Sequence, residues 1–448
     1  MFSFVVNWRG TRWVASDYLR CWAIKIAPYF LSPVRRLCFL AGANTKALKL
    51  TMLEHRLIST DSLAREIRAR LPAILSLEGT FMNAPTGNLN LHKRRALVLQ
   101  PPDINENGIR KGVLIITFTE TFHFFHTCID IERLLRYFRI VLEPSWSGYC
   151  LPEILSWARY NQPIIVQASE PRDRRFLGTL GTSLVPISLG ASDWVDHRIF
   201  RPLELPKDYD VIYVANLSPI KRVHVYLRAI RTLLSRGRPV RAALVMASWG
   251  GNKRTFEQLL DLYNLRDRIK VFMNLSQPAL NELLNRSKVS VLLSKKEGSN
   301  RTLFESMFAN VPVLLLESNI GVNKAYINKL TGEIVSEKGL PDAIERIGNM
   351  SPPLSPRSWA MNNIAPEIST QKLQTLLNAH YSSDGVSTRP LWVKVNSPEA
   401  TYMDPAICTC VPDITQVLDC FARRNRLNDP DEALDARIRD LFASAKPQ

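Results

Sequence analysis

The stretch VSVLLSKKEGSNRTLFESMFANVPVLLLE, residues 289–317, contains a strand, a loop, a helix and a second strand. VSVLLS and VPVLLLE are short apolar runs, as expected for strands that are buried on both faces of a sheet. RTLFESMFAN provides the helical crossover that parallel strands require. We therefore predict that Glu297 lies in the loop at the carboxyl end of the first strand, where Gly298 lets the backbone turn, and that Glu305 lies on the helix.

The same alternation of strand and helix extends over most of the chain. Two sets of apolar runs are separated by SDWVDHRIFRPLELPKDYD, which has the mixed charge and the prolines of a connection between domains. The sequence predicts an α/β fold with two Rossmann-like, doubly wound domains that face each other across a cleft. The other predicted strands are ALVLQ, GVLIITF, RIVLEPS, PIIVQAS and LVPISLG in the first set, and YDVIYVAN, VRAALVMAS and IKVFMNLS in the second.

The predicted domain boundaries follow from these patterns. We expect one helix after GVLIITF, carrying an apolar stripe from Phe124 to Phe138, and parallel pairing throughout the first sheet. Two amphipathic faces in the tail, around Ile414–Phe421 and Leu434–Leu441, could pack on the body or on a second subunit. The predicted parts are a basic helical extension (1–95), the first Rossmann-like domain (96–205), the second (206–350), helices crossing back (351–383) and a tail (384–448).

Composition limits the class of protein. The chain has 448 residues, no uninterrupted apolar run of spanning length and no recognisable signal peptide, so we expect a cytoplasmic protein. Seven scattered cysteines without a CxxC pair indicate neither a disulfide framework nor a zinc site. The one D-x-D, Asp429-Pro430-Asp431, stands where acidic residues commonly begin a helix, so we predict no metal site there.

The formal net charge of +17 favours an anionic partner. It is concentrated at the amino terminus, where residues 1–110 hold sixteen Lys or Arg against seven Asp or Glu. Tryptophans and tyrosines are interleaved with these cations. This segment could contact an anionic membrane surface, could bind nucleic acid, or could be a solvated helical cap on the first domain. No nucleic-acid-binding module is recognisable, so nucleic acid is not the expected partner.

The loop that contains Glu297 has the features of an anion site. The free N–H groups at the start of a helix, here around Arg301 and Thr302, can bind a phosphate. Asn300 could contact the same ligand or could only cap the helix. The sequence therefore predicts a phosphate cradle with carboxylates beside it.

These residues resemble the family 4 glycosyltransferases of the GT-B fold. The resemblance rests on Glu297-Gly298, on Glu305 eight positions later and on Ala309-Asn310-Val311-Pro312-Val313. The segment ANLSPIKR, which ends near Lys221, and the stretch TGEIV at 331–335 stand in the expected order. The resemblance covers roughly residues 111–381 and is stronger in the second half of that range.

The resemblance implies a role for each matching residue. Lys221 would stabilise the diphosphate of a nucleotide-sugar donor, Glu297 would hold the transferred sugar, and Glu305 would hold the ribose. The chain departs from the family at Asn216, where an arginine is usual, and at Arg222, where a glycine is usual. Arg222 or Arg301 could replace the missing cation. The predicted catalytic residues are Glu297 and Lys221, and the predicted donor-binding residues are Glu305, Gly298, Ser299, Asn300, Arg301, Thr302, Arg222 and Asn216.

The acceptor side is less clearly marked in the sequence. His123 and His126 begin the helix after TFTET, close to Glu120, and could either face the cleft or flank the apolar stripe. The resemblance implies a retaining, metal-independent hexosyltransferase. It would have no cofactor, a UDP- or GDP-sugar as donor, and a saccharide or glycolipid hydroxyl as acceptor, in polysaccharide or glycolipid synthesis. Alternatives are a nucleotide-sugar epimerase of the same fold and a non-catalytic basic scaffold on the inner membrane face.

Overall fold

The structure is a computed structural model that describes residues 8–76, 89–106, 108–381, 389–396, 400–423 and 431–443. The chain forms two compact units. The N-unit consists of Ala27–Trp194 and Pro366–Gln448, and the C-unit consists of Met1–Ile26 and Val195–Ala365. The predicted amino-terminal extension is therefore shared between the two units.

The amino-terminal region is helical, as predicted. Its helices are α1 (Trp8–Leu40), α2 (Asn44–Ile58), α3 (Asp61–Ser76) and α4 (Leu89–Lys93). Helix α3 buries Leu63, Ile67, Leu71 and Ile74 at spacings of three and four, because these positions share one helical face. Arg35 lies 2.8 Å from Glu54 and 2.6 Å from Glu66, and these ion pairs link α1 to α2 and α3 within the N-unit.

The N-unit contains the first Rossmann-like sheet, with strand order β1-β4-β5-β6-β7. All five strands predicted for the first domain are present. The strands are β1 (Ala96–Gln100), β2 (Asp103–Asn105), β3 (Gly108–Arg110), β4 (Gly112–Thr117), β5 (Phe138–Glu143), β6 (Ile164–Gln167) and β7 (Leu184–Ile187). The helices that follow β4 are α5 (Thr119–Cys128), α6 (Ile131–Tyr137), α7 (Pro152–Leu155) and α8 (Pro171–Leu180).

Two predictions for this sheet are wrong. Strand β1 pairs with β4 in the antiparallel direction, because only the small β2–β3 hairpin separates them and a parallel pair would need a longer crossover. The single helix predicted after β4 is two helices. Asp130 separates them, since its side chain accepts a hydrogen bond from the Arg133 N–H at 3.2 Å and caps α6, and Phe138 already belongs to β5.

The C-unit contains a six-stranded sheet with order β10-β9-β8-β11-β12-β13, in which every pair is parallel. The predicted strands of the second domain are confirmed. The strands are β8 (Tyr209–Asn216), β9 (Ala242–Ala247), β10 (Ile269–Met273), β11 (Ser287–Leu292), β12 (Val313–Leu316) and β13 (Gly332–Val335). The helices are α9 (Val223–Ser235), α10 (Lys253–Leu262), α11 (Gln277–Asn285), α12 (Arg301–Phe308), α13 (Leu340–Gly348) and α14 (Pro356–Asn363).

The remaining elements belong to the N-unit. Helix α15 begins at the predicted break, Pro366. The tail elements are α15 (Pro366–His380), the hairpin β14 (Lys394–Asn396) and β15 (Ala400–Tyr402), and helices α16 (Pro405–Cys410), α17 (Ile414–Asp419) and α18 (Asp431–Leu441). Val417, Phe421, Leu434 and Ile438 are buried in the main core of the N-unit, so both predicted amphipathic faces pack on the body of the protein. Asp429 and Pro430 of the D-x-D lie outside the described residues, and Asp431 is the first residue of α18.

Candidate functional site

The strand order of the C-unit marks one position as special. From β8 the chain adds β9 and β10 on one side, and it then returns to add β11, β12 and β13 on the other side. Strands β8 and β11 are therefore neighbours on either side of the point where the winding direction reverses. In open α/β sheets, ligands bind beyond the carboxyl ends of the strands at this switch point.

The two loops at the switch point supply Lys221 and Glu297. Lys221 Nζ lies 2.7 Å from Glu297 Oε1, and the two side chains are 17% and 9% exposed. The backbones of the loops are joined as well, because the Lys295 N–H donates to the Ile220 carbonyl at 3.0 Å. Prediction from the sequence placed these two residues at the same sheet edge, and the structure brings them into direct contact.

The turn that carries Lys221 is held from several sides. Residues Pro219–Lys221 form a short 3₁₀ turn, and the Lys221 carbonyl accepts a hydrogen bond from the hydroxyl of buried Tyr213. The next residue, Arg222, has a left-handed backbone conformation with φ 52° and ψ 44°, and helix α9 starts directly after it. The conformation of the turn therefore determines where Lys221 points.

Helix α12 begins beside this pair. Asn300 caps it, since the Leu303 N–H donates to Asn300 Oδ1 at 3.0 Å. Gly298 is buried and Ser299 is half-buried in the loop between Glu297 and the helix. The capping interpretation of Asn300 is confirmed, and contacts of Gly298, Ser299 and Asn300 with a donor stay predictions.

Glu305 lies on the buried side of α12 and is 5% exposed. Burial raises the pKa of its carboxyl above the usual value, while the charge of Arg301 and a hydrogen bond from Thr302 oppose that rise. Arg301 Nε lies 3.5 Å from Glu305 Oε1, one helical turn away. A glutamate placed in this way can accept hydrogen bonds from hydroxyl groups that reach it.

Asn216 ends strand β8 and is nearly buried. Its Oδ1 accepts a hydrogen bond from the Ser218 N–H at 3.0 Å, which shapes the start of the Lys221 turn. The loop after β9 packs closely on this turn, because the Leu217 N–H donates to the Trp249 carbonyl at 3.1 Å. A Cβ atom on Gly251 would lie 2.1 Å from the Leu217 carbonyl oxygen, so only glycine fits there. The sequence prediction missed this glycine.

Arg222 is not exposed beside Lys221. Its guanidinium is buried, with Nε 2.9 Å from Asp17 Oδ2 and a terminal nitrogen 2.5 Å from Glu337 Oε1. These contacts give Arg222 a structural role in place of the diphosphate contact that the resemblance allowed. Asp17 and Glu337 were not predicted as site residues, and the one signal for them was the arginine at a position where the family has glycine.

The three predicted acceptor residues lie in the N-unit and have different surroundings. His126 is buried, its Nε2 lies 2.8 Å from Ser156 Oγ, and its Nδ1 lies 3.2 Å from the Tyr160 hydroxyl. Burial lowers the pKa of His126 to about 3, and the charge of His123 adds to this effect. His126 is therefore a neutral core histidine in this structure.

Glu120 and His123 are more accessible than His126. Glu120 is half-exposed at the start of α5, beyond the carboxyl end of β4, and pairs with Arg95 at 2.9 Å. His123 is half-buried on the same helix. Their predicted role on the acceptor side stays a prediction.

Comparison with known proteins connects this geometry to a family. Residues 196–349, about a third of the chain, match the family model described as Glycosyl transferases group 1. The matched segment lies within the C-unit. This segment contains Lys221, Glu297 and Glu305, and the predicted resemblance is confirmed over it.

Several solved structures are similar to the chain at low sequence identity. They include sucrose-phosphate synthase from Thermosynechococcus elongatus, at 15% identity over 60% of this chain and 74% of that one, with TM-score 0.48. HepE from Anabaena, solved with UDP, has 15% identity over 58% and 78% of the two chains, with TM-score 0.47. The C-terminal domain of a group 1 family protein from Francisella tularensis has 15% identity over 38% and 98%, with TM-score 0.32.

No curated protein matches the chain. The similarity to a known family therefore rests on the match over residues 196–349, which includes the whole six-stranded sheet of the C-unit. Among the helices that the structure describes, none is both long and apolar enough to cross a membrane.

Proposed function

We propose that the protein is a retaining, metal-independent glycosyltransferase that moves a sugar from a UDP- or GDP-sugar to a hydroxyl of a saccharide or glycolipid. One observation carries the proposal. A half-buried lysine, Lys221, and a buried glutamate, Glu297, meet at the switch point of a sheet that lies within the group 1 glycosyltransferase match.

Lys221 acts on the leaving group. Cleavage of the bond between the anomeric carbon and the phosphate oxygen places negative charge on the diphosphate and positive charge on the sugar ring. A fixed ammonium group and the N–H groups at the start of α12 stabilise that diphosphate without reorganisation. Glu297 neutralises Lys221 before the donor binds, and the diphosphate shares the lysine afterwards.

The two glutamates act on hydroxyl groups. Glu297, in the loop after β11, holds the hydroxyls of the transferred sugar and lies near its developing positive charge. Glu305, on the buried side of α12, accepts hydrogen bonds from the ribose hydroxyls. Its burial supports this role, because a shielded carboxyl forms stronger hydrogen bonds than a hydrated one.

Arg301 supplies the second cation that the family usually places at the position of Asn216. It stands in the first turn of α12, its side chain is 32% exposed, and Arg222 is engaged elsewhere. Backbone groups around Gly298 and Ser299 and the hydroxyl of Thr302 complete the cradle. On the acceptor side, Glu120 and His123 remain the candidates for contact with the acceptor.

Helix α1 supports attachment to an anionic membrane surface. In the described part of the chain, nine of the eighteen exposed large hydrophobic side chains lie on this helix, including Trp22, Tyr29 and Phe30 at 60%, 79% and 67% exposure. Exposed cations stand among them: Arg12, Arg20, Lys25 and Arg36. The single acidic residue of the helix, Asp17, is buried. Aromatic groups between cations are typical of helices that lie in a lipid interface.

A thermal-shift panel tests the donor site. UDP, GDP, ADP and CMP are each added with and without EDTA, and one nucleoside diphosphate should raise the melting temperature equally in both conditions. Glu305→Ala should abolish the shift. Glu282→Ala, which removes an exposed glutamate of α11, is the matched control and should keep it. No stabilisation by any nucleotide would refute the donor site, and a shift lost with EDTA would refute metal independence.

Retention needs its own measurement. The anomeric configuration of the product, read from its proton NMR coupling constant, should match that of the donor sugar. An inverted product would contradict this part of the proposal. Turnover of donor without any acceptor would instead favour the epimerase alternative.

A further inference from the structure

Arg222 combines two features that rarely occur together. Its φ of 52° lies in the left-handed region, where a residue with a Cβ atom is strained. Its side chain is 3% exposed although it carries a full positive charge. Strained positions persist only where the surrounding structure holds them.

The surrounding structure consists of two carboxylates from distant parts of the chain. Asp17 Oδ2 lies 2.9 Å from Arg222 Nε, and Glu337 Oε1 lies 2.5 Å from a terminal nitrogen of the same guanidinium. Burial alone would raise the pKa of Asp17, but hydrogen bonds and charges from His224 and Arg222 together lower it. Arg222 is thus held between helix α1 and the loop after β13.

The segment of α1 that carries Asp17 is itself fixed within the C-unit. Trp13 and Val14 pack against the core formed by the sheet and helix α9. The ring of Trp13 meets the ring of buried His224 edge to face, with centroids 5.3 Å apart. The hydroxyl of Tyr18 donates to Glu337 at 3.3 Å. These contacts of the neighbouring residues hold Asp17 in place beside Arg222.

Arg222 is covalently joined to Lys221, so its conformation is transmitted to the donor turn. The Val225 N–H donates to the Arg222 carbonyl at 2.8 Å, which fixes the start of α9. The Tyr213 hydroxyl holds the Lys221 carbonyl on the other side. A change in φ at Arg222 would rotate the Lys221 side chain away from Glu297.

We propose that Asp17 and Arg222 are positioning residues: the buried ion pair between the amino-terminal helix and the donor turn holds Lys221 where it binds the donor diphosphate. The inference rests on the proposed function of Lys221. It assigns a part in donor binding to the amino-terminal segment, which lies outside the residues 196–349 that match the family model.

A double-mutant cycle on the full-length protein tests this. The affinity for UDP and for GDP is measured by calorimetry for the wild type, Asp17→Asn, Lys221→Met and the double variant. With the diphosphate that binds the wild type, Asp17→Asn should weaken binding about tenfold when Lys221 is present and less than about twofold in the Lys221→Met background, because residues that act through one another are not additive.

The controls separate positioning from stability. Glu54→Gln breaks another buried ion pair, that of Arg35 in the N-unit, and should lower the melting temperature while leaving the affinity for the diphosphate unchanged. If Asp17→Asn does not fold, Glu337→Gln enters the same cycle in its place. Equal weakening in both backgrounds, or unchanged affinity in a folded Asp17→Asn protein, would overturn the inference. A wild type that binds neither UDP nor GDP would instead refute the proposed function.

Discussion

Lys221 and Glu297 are 76 residues apart in the sequence, yet their charged atoms lie 2.7 Å apart at the junction of strands β8 and β11. Both side chains are largely shielded from water, so water does not easily take the place of either partner in the ion pair. Removal of one member of such a pair leaves the other buried without its partner. Loss of either side chain should therefore destabilise the C-unit, and under the proposed function it should also weaken binding of the donor diphosphate.

Lys221→Met should weaken the binding of the donor's nucleoside diphosphate by about ten- to a hundredfold, since a charge-assisted hydrogen bond to phosphate contributes about 1.5 to 3 kcal/mol. Binding of the corresponding nucleoside, which has no phosphate, should change less than about twofold. Calorimetric titration of both ligands measures the difference. Lys270→Met, on the exposed edge strand β10, is the matched control. Equal losses for nucleoside and diphosphate would contradict a specific role at the diphosphate.

Glu305→Gln should stabilise the folded protein at neutral pH while weakening donor binding. Burial raises the pKa of Glu305 in the folded state above its unfolded value, so ionisation of this group opposes folding as the pH rises above about 4.5. The gain in melting temperature over the wild type should be present at pH 7.5 and should shrink toward pH 4.5. A gain independent of pH would show that ionisation of Glu305 is not its cause.

His126 should make stability depend on pH in the opposite direction. Its pKa is lowered to about 3 in the folded state from an ordinary value of 6.5, so the unfolded chain binds the extra proton first. The stability that His126 contributes is complete above pH 6.5 and is lost as the pH falls, by up to about 1.4 kcal/mol per pH unit. Urea unfolding from pH 7 to pH 4.5 measures this slope.

The same measurement on His126→Gln isolates the contribution of this histidine. Because glutamine does not titrate, the free energy of unfolding should depend less steeply on pH, by the equivalent of up to about one bound proton per molecule. Sugar transfer by a folded His126→Gln protein should remain measurable if the histidine is only part of the core. Loss of activity with an unchanged melting temperature would support the acceptor role instead.

Helix α1 should bind vesicles that contain phosphatidylglycerol and not vesicles of phosphatidylcholine alone. Trp22→Asp with Phe30→Asp should reduce sedimentation with the anionic vesicles at least about tenfold, because each change removes apolar contact and adds repulsion. Leu91→Asp, at an exposed apolar position of α4, is the control and should sediment like the wild type. Vesicle binding that does not change with lipid charge or salt concentration would contradict an electrostatic contact.

The sequence was sufficient to predict the features that depend on local pattern. Strands β8 and β11 could be located because both are buried apolar runs, and the carboxyl ends of parallel strands share one edge. Lys221 and Glu297 could therefore be assigned to one site before their distance was known. Asn300 as a helix cap also follows from local chemistry.

Other features depend on partners far away in the sequence. Asp17 lies 205 residues before Arg222, and no periodicity links the two positions. Asp130 could have indicated the end of α5, but the apolar stripe continued through it and favoured one helix. The direction of β1 depended on the length of its connection to β4. The partner of the two amphipathic faces in the tail was undecided, because an amphipathic stripe does not indicate which surface covers it.

The core of the N-unit includes Leu434, Ile438 and Phe442 of the tail, whereas the C-unit is complete at Ala365. A ribosome releases the chain from its amino end, and domains generally fold as soon as their segments have emerged. Every segment of the C-unit, including Asp17, is available while the last part of the N-unit core is still unsynthesised. Vectorial synthesis therefore allows the second sheet to fold before the core that covers the first sheet is complete.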